Sequence, residues 1–554
     1  MEGPARHLRR SSSCTHTRKP RSSSGGGIAG LSTALFLARA GIRPTLVERH
    51  PSTARQPQAR AFNPRSMELY RALGLEKSIR DHTSILADFP EMIGADTLAG
   101  RERFRVDVLS QVRPSADLSP TDWTMIDQDE LERVVRAEAE KYGAVIRFGT
   151  ELISFDAGGD GVTTVLRDLT SGAEHTVHAN YLVAADGNRA GIRTRLGIGA
   201  TGPGVLIEAA SFVFDADLGA ALRDRRFLLG YFDEPTKGTA LVPGREFGRW
   251  SLGIPFGPES GESAADFTEQ RCVELARRAI GDPGLELTLV PLMAGSNQKV
   301  ATTRIGAWVA DRYREGRIFF VGDAAHVVPP TGSFGANTGI ADANNLAWKL
   351  AAVLKGQAGQ ALLDTYHDER RPVALVTLDQ AMQRLHGRHT GTGDDAATID
   401  DLTMILGYRY RSSAVHTEPD TPDTPVEDPR HPTGRPGLRA PHVWLRRPET
   451  TLSTLDLFDG GFTLLTGAAG AEWVGAAEKA SAAAGLDLNA VVIGTDLDDV
   501  DDRFHTAYGL TPTGATLVRP DGFVAWRATE LPDRPEHELL GALAGLLARE
   551  NIAL

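Results

Sequence analysis

Short apolar runs recur along this chain, several ending at a glycine or an acid, with amphipathic stretches between them. Leu31–Ala40 carries small and apolar residues at helical spacing and stops at Gly41, so the pattern predicts a helix with a glycine C-terminal stop. Arg43–Glu48 reads as the next strand. Tyr181–Asp186 is an apolar strand closed by Asp186-Gly187. Ile318–Val321 is a buried strand followed by a glycine- and proline-rich turn and a helix opened by Asn337, Thr338 and Gly339. Ala210–Ala216, Arg226–Phe232 and Arg249–Ile254 alternate in the manner of antiparallel strands. Leu362–His386 keeps helical periodicity throughout. Thr417–Pro436, rich in Pro, Thr, Asp and Glu, has a linker's composition. From residue 440 strands and helices alternate again, through FTLLTG, a helix over Glu472–Ala484, LNAVVIG and GATLVRPDGFVAWRA. The whole predicts an α/β protein of several domains.

The turns carry the candidate chemistry. Gly25, Gly27 and Gly30 spell GxGxxG ahead of a helix, and Glu48 ends the following strand, where an acid can bind a ribose diol. Asp323 stands at the carboxyl end of its strand, where ligands gather in open α/β sheets, and can accept hydrogen bonds from sugar hydroxyls. Pro329 and Pro330 stiffen the approach, and Gly332 and Gly335 let backbone come near a ligand. The amides that follow Ala336, at Asn337 and Thr338, favour negative charge at a helix start. Any one of these turns alone is compatible with an ordinary cap or turn. Three of them, each at a strand end, point to a dinucleotide cofactor.

In this order, GGGIAG, YLVAADGNRAGIR and GRIFFVGDAAHVVPPTGSFGANTGI resemble the three motifs of the single-component FAD-dependent aromatic hydroxylases, the relatives of para-hydroxybenzoate and phenol hydroxylase. The resemblance implies that Asp186 and Gly187 lie near the FAD diphosphate, that Arg60 crosses near the flavin and that Gln128 lies beside its ring. The family usually has Ser where this chain has Ala190. The implied fold is a discontinuous Rossmann-like FAD domain (25–84, 111–205 and 301–400) with an inserted, mostly antiparallel β-sheet substrate domain (85–110 and 206–300). A linker (401–439) and a thioredoxin-like domain (440–554) follow. That last domain holds no cysteine, so thiol chemistry is excluded there, and a structural role, including support of a homodimer, is expected of it. No second GxGxxG follows a strand, so NADPH is expected to bind transiently as reductant.

The implied reaction is hydroxylation of a small-molecule substrate, a polycyclic aromatic polyketide, with O2 through a flavin C4a-hydroperoxide, in antibiotic biosynthesis or tailoring. Baeyer–Villiger oxygenation and antibiotic-inactivating hydroxylation use the same architecture. A non-catalytic flavin- or ligand-binding homologue is the reading from another class. WSLGIP, Trp250–Pro255, only approaches the WxWxIP signature of flavin halogenases and is read as a strand. No catalytic base stands out, and His326 is read as structural, with nothing near it in sequence to complete a dyad.

Composition narrows this further. The chain has 554 residues and a formal charge of −12, which disfavours nucleic acid as a partner. Its two cysteines, Cys14 and Cys272, offer no disulfide framework and no multi-cysteine metal site, and point to a reducing cytoplasm. No run approaches the roughly 20 apolar residues of a membrane span. The acidic run Asp496–Asp502 lacks the spacing of a calcium loop and reads as a solvated surface. One segment conflicts with the rest. The strand before GxGxxG should be apolar, yet Lys19–Ser24 reads KPRSSS, and proline and serines cannot fill a buried central strand. A shifted reading frame ahead of Gly25 would account for it, since GC-rich codons for Val-Leu-Ile-Val read one base along yield serines.

Overall fold

The computed structural model describes residues 25–52, 59–89, 91–108, 112–245, 248–257, 261–292, 297–390 and 398–549. Lys19–Ser24, and with it the reading-frame hypothesis, lies outside the described residues.

Glycine and apolar residues set the first elements. Gly27 caps a helix, Ile28–Arg39, which is buried over most of its length because Leu31, Ala34, Leu35 and Ala38 face neighbours on several sides. Gly41 ends it with φ +77, the left-handed geometry that glycine adopts without a Cβ penalty. The strand Thr45–Glu48 pairs in parallel with Val145–Phe148. Leu182–Ala184 pairs in parallel with Ile318–Phe320. The Gly25 turn lies between the ends of these two pairs. A Cβ placed on Gly25 would come 2.4 Å from the Ala185 carbonyl oxygen and 3.5 Å from Glu48 Oε2.

Helices Gln128–Lys141, Phe334–Leu354 and Thr365–Thr390 pack around these strands. The last covers the predicted 362–386 periodicity from Thr365 onward, while Leu362 and Leu363 belong to a separate 3₁₀ turn, Gln360–Leu363. The helix after the Asp323 turn begins at Phe334, three residues before the expected Asn337, because Ser333 (φ +54) supplies the left-handed N-cap that turns the chain early.

The second unit is a nine-stranded sheet, antiparallel apart from one parallel pair, between Leu229–Phe232 and Glu91–Ala95. Its strand Arg249–Phe256 alternates half-buried and buried positions, as the pattern around Trp250 predicts, and the helix Glu269–Ile280 covers its apolar face. Ala200–Asp215 and Val300–Ala310 form its longest pairing and run beyond the residues assigned to it from sequence.

The C-terminal part is a four-stranded sheet, Leu488–Ile493, Phe462–Gly467, Ala515–Val518 and Val524–Ala528 in spatial order, with its first pair parallel and the rest antiparallel. Helices Glu472–Ala484 and Pro535–Leu546 flank it. Its core is continuous with that of the first unit, and Trp348 meets Phe462 edge to face at 5.9 Å. The segment with a linker's composition is packed down. Glu418 pairs with Arg527 and Arg435, and Glu427 with Arg409.

Candidate functional site

Three segments far apart in sequence close on one cleft because the residues at their meeting point are small. Gly322 (φ +58) opens the turn that carries Asp323, and a Cβ there would lie 2.7 Å from the Ala29 Cβ. A Cβ on Gly339 would lie 3.1 Å from Gly322 Cα and 3.2 Å from Ala29 Cβ. Ala29, Gly322 and Gly339 thus let the starts of the Ile28 and Phe334 helices approach the Asp323 turn together. Neither N-cap residue, Gly27 nor Ser333, caps its helix with a side chain, so apart from the Ile28 amide, which Glu132 accepts, both first turns direct backbone N–H groups toward negative charge. On the other side of the glycine turn, Glu48 accepts the Gly26 amide at 2.6 Å and the His50 amide at 2.8 Å.

Asp323 sits in a one-turn 3₁₀ segment straight after the Ile318–Phe320 strand. Its side chain is exposed to the cleft and makes no hydrogen bond among the described residues. Protein surrounds it closely enough that lost hydration raises its carboxyl pKa, with His326 pulling the other way. Behind it stands a buried network. His326 Nε2 lies 2.7 Å from Asp342 Oδ2, Arg370 Nε donates to Asp342 Oδ1 at 2.7 Å, and the Gly322 amide donates to Asp342 Oδ2 at 3.1 Å. His326 therefore does have an acid partner, sixteen residues along the chain. All three side chains are walled off from solvent, so the network holds the Asp323 turn and cannot reach a substrate. Arg370 also donates to the Thr338 carbonyl at 3.2 Å, which ties the same network to the Phe334 helix.

Asn337 is fully engaged by protein. Its Nδ2 donates to the carbonyls of Ala61 (3.1 Å) and Ser333 (2.7 Å), and its Oδ1 accepts from the Asn63 amide (3.0 Å) and Ser66 Oγ (2.7 Å). Its side chain thus fastens the helix start to the Ala61–Ser66 segment, and only backbone is left to face a ligand. Gly335 and Ala336 are half-buried in the first turn. A Cβ on Gly335 would meet only Val328, at 3.7 Å, so the surrounding protein does not itself demand glycine there. Pro330 is exposed, and Thr331 Oγ1 anchors the loop by donating to the Ala381 carbonyl at 2.9 Å.

Asp186 Oδ2 accepts the Ile192 amide at 2.9 Å, while its buried Oδ1 has no partner, and burial raises its pKa. Gly187 adopts φ +72, and Ala190 takes a left-handed φ of +44 at the start of the next helical turn. Asp186 does the capping that a hydroxyl at position 190 would share.

Arg60 is buried, with Nε 3.0 Å from Asp127 Oδ1 and Nη1 without a hydrogen bond among the described residues; burial lowers its pKa. Gln128 Oε1 accepts the Ala59 amide at 3.2 Å, and its Nε2 donates to Glu132 Oε1 at 2.8 Å. Glu132 was missed from sequence. It sits one helical turn after Gln128, reaches the Ile28 amide and joins the Arg60 segment to the glycine turn. The signal available was the i, i+4 spacing alone.

A second feature escaped sequence reading. Arg519, from the C-terminal unit, is wholly buried against the first. Its Nη1 and Nη2 donate to Glu369 at 2.6 and 2.9 Å, and its Nε and Nη2 to Asp521 at 3.0 and 2.5 Å. Lys349 Nζ also donates to Glu369, at 2.7 Å. Glu369 is the chain neighbour of Arg370, so the C-terminal unit braces the network behind Asp323.

Comparison with known proteins agrees with this geometry. The family described as FAD binding domain matches residues 24–381, and that described as aromatic-ring hydroxylase, C-terminal, matches 433–549. A 4-methyl-5-nitrocatechol 5-monooxygenase from Burkholderia sp. is 45% identical over 95% of this chain and 97% of its own. Aklavinone 12-hydroxylase from Streptomyces purpurascens is 41% identical over 95% of this chain and 98% of its own. The crystal structure of a ternary complex of aklavinone-11 hydroxylase with FAD and aklavinone superposes with a TM-score of 0.87, at 40% identity, covering 96% of this chain and 99% of that one.

Proposed function

The chain belongs to the FAD-dependent aromatic-ring monooxygenases, and from that premise we propose that NADPH reduces its FAD and that it hydroxylates a polycyclic aromatic polyketide. The observation that carries the cofactor placement is the convergence on the Asp323 carboxyl of two helix starts whose N-cap residues lend no side chain. The site suits FAD on its own chemistry, since Asp186 Oδ1 and Arg60 Nη1 are buried polar atoms with no hydrogen-bond partner among the described residues, as a bound ligand would explain, and the exposed Asp323 carboxyl is open to accept from one. In this reading the glycine-turn amides hold the diphosphate, Glu48 takes the ribose diol and Asp323 accepts from the ribityl hydroxyls. The first amides of the Phe334 helix stabilise negative charge on the pyrimidine side of the ring.

Reduced FAD, when bound, supplies the O2 activation that puts one oxygen atom on an electron-rich ring. The chain's part is to place that ring and exclude water. An apolar cluster of Ala61, Trp123, Met125, Phe334, Ala381 and Met404, with Val328 and Leu228 partly open beside it, adjoins the cleft and supports this role. Leu228, just before the Leu229–Phe232 strand of the large sheet, packs against this cluster, and that sheet would hold the substrate. The two aklavinone hydroxylases favour a polycyclic substrate, while the nitrocatechol relative favours a single ring. The C-terminal unit is read as a cysteine-free thioredoxin-like brace, and a reducing cytosol as the setting.

The test is NADPH consumption in air by the FAD-loaded protein, with anthracycline-type polyketides and nitrocatechols in parallel and product NMR. Stimulation by the polyketide with a new ring hydroxyl supports the proposal. Stimulation by the nitrocatechol alone selects the single-ring reading, and a lactone product selects Baeyer–Villiger oxygenation.

A further inference from the structure

Glu132 is a buried acid where an anion is to be received. It is only 5% exposed, and a Cβ on Gly27 would lie 4.0 Å from its Oε1, so its carboxyl stands at the start of the Ile28 helix. The groups acting on it are Gln128 and Asp129 on its own helix, Glu48 on the neighbouring strand and the Ile28 amide. Tyr70, hydrogen-bonded to Ser32 at 2.8 Å, is near enough to feel its charge. No cation is among these groups. Two of its neighbours are themselves acids, and the helix start offers its positive end to whichever anion arrives.

We propose that FAD binds only with Glu132 in its neutral acid form, so that seating the diphosphate on the glycine turn takes up one proton at this side chain. Resting on the assignment of that turn to the diphosphate, the inference names a proton-bearing positioning residue for the cofactor. An ionised Glu132 would place a third negative charge against the diphosphate in a poorly hydrated spot and would compete for the same amides. A neutral carboxyl keeps its bond from Gln128 and has an O–H to donate. Burial, first, together with Asp129 and Glu48, pushes this carboxyl up to about 7 in the free protein, against the hydrogen bonds from Gln128 and Ile28. A nearby diphosphate raises it further, so affinity is complete below the free-state value and falls as pH rises through it. The linkage predicts a loss of about tenfold in FAD affinity for each pH unit above 7.

The experiment is calorimetric titration of FAD into full-length protein stripped of flavin, at pH 6 and pH 8, in buffers of low and high ionisation enthalpy. The expected result is uptake of close to one proton per FAD at pH 8, little at pH 6, and a marked loss of the pH 8 uptake in Glu132→Gln. No uptake at pH 8, or equal uptake in wild type and Glu132→Gln, overturns the inference. The wild-type titration decides alone if the variant does not fold. Gly27→Asp separates the two assignments. A Cβ at position 27 meets nothing nearer than Glu132 Oε1 at 4.0 Å, and aspartate is a favourable N-cap, so the helix is expected to be preserved while a charge enters the diphosphate seat. If Gly27→Asp binds FAD normally, the turn has been misassigned. If it loses FAD while the wild type takes up no proton, only the role of Glu132 fails. A protein that binds no FAD at any pH overturns both.

Discussion

Replacing Arg519 with methionine should separate the C-terminal unit's contribution to cofactor retention from mere attachment. Arg519 is 0% exposed and lies within 2.5–3.0 Å of four carboxylate oxygens on Glu369 and Asp521. Methionine fills a similar volume but leaves the Asp521 carboxylate, among the described residues, with only Asn345 Nδ2, at 3.1 Å. It leaves Glu369 with Lys349, Asn345 and Ser412. Removing one partner of a buried ion pair costs about 3–5 kcal/mol because the other charge stays buried. That is a large share of the roughly 5–15 kcal/mol net stability of a folded protein. The urea midpoint, followed by tryptophan emission and by flavin release, should fall by the equivalent of that loss. Flavin should leave at lower urea than the tryptophan change, because Arg370, beside Glu369, holds Asp342 and with it the Asp323 turn. Arg519→Lys should be intermediate, since an ammonium cannot span two carboxylates as a guanidinium fork does. A loss in Arg519→Met below about 1 kcal/mol, or an unchanged order of flavin release, would refute the bracing role.

Asp323→Ala should weaken FAD binding by about 1–3 kcal/mol through loss of charged hydrogen bonds; equilibrium flavin titration checks it, and unchanged affinity would mean that the ribityl site lies elsewhere. Gly322→Ala should lose FAD through a different cause, since position 322 has φ +58 and a Cβ there presses on Ala29 at 2.7 Å. Its circular dichroism should stay close to wild type while flavin content drops. His442, bonded to Ser453 Oγ at 2.7 Å and the Ala116 carbonyl at 3.0 Å, is pushed down to about 4, first by burial and then by Arg439. Its folded-state pKa lies below the unfolded value, so the unfolded chain binds more protons between about pH 4 and 6.5, and this group's contribution weakens as pH falls across that window, by up to about 3 kcal/mol. Urea midpoints at pH 6.5 and 4.5 should therefore differ less in His442→Asn than in the wild type.

What sequence could and could not show divides along sequence separation. The need for glycine at 322 comes from Ala29 and Gly339 and was not readable, whereas Asp323 and the strand before it act through local geometry, so a strand end and an acid were readable in a few residues. Gly41 and the alternation around Trp250 were legible for the same reason. Asn337 looked equally local, yet its side chain is claimed by Asn63 and Ser66, 274 and 271 residues away, and no spacing rule announces such partners. The acid on His326 is Asp342, which lies beyond a turn and on the next helix, so an isolated histidine was all that could be seen. Arg519 finds Glu369 150 residues away, a pairing that no local pattern announces. Glu132 was hidden in an ordinary charged helix, because its meaning depends on the glycine turn that packs against it.

The most direct test of the central claim is a single-turnover experiment on protein loaded with FAD, reduced with NADPH under anaerobic conditions and mixed with ¹⁸O₂ and a polycyclic aromatic polyketide. The account predicts a product carrying one labelled oxygen on a ring carbon, with flavin returned to its oxidised state. Reoxidation that releases only hydrogen peroxide across both polyketide and nitrocatechol panels would contradict it.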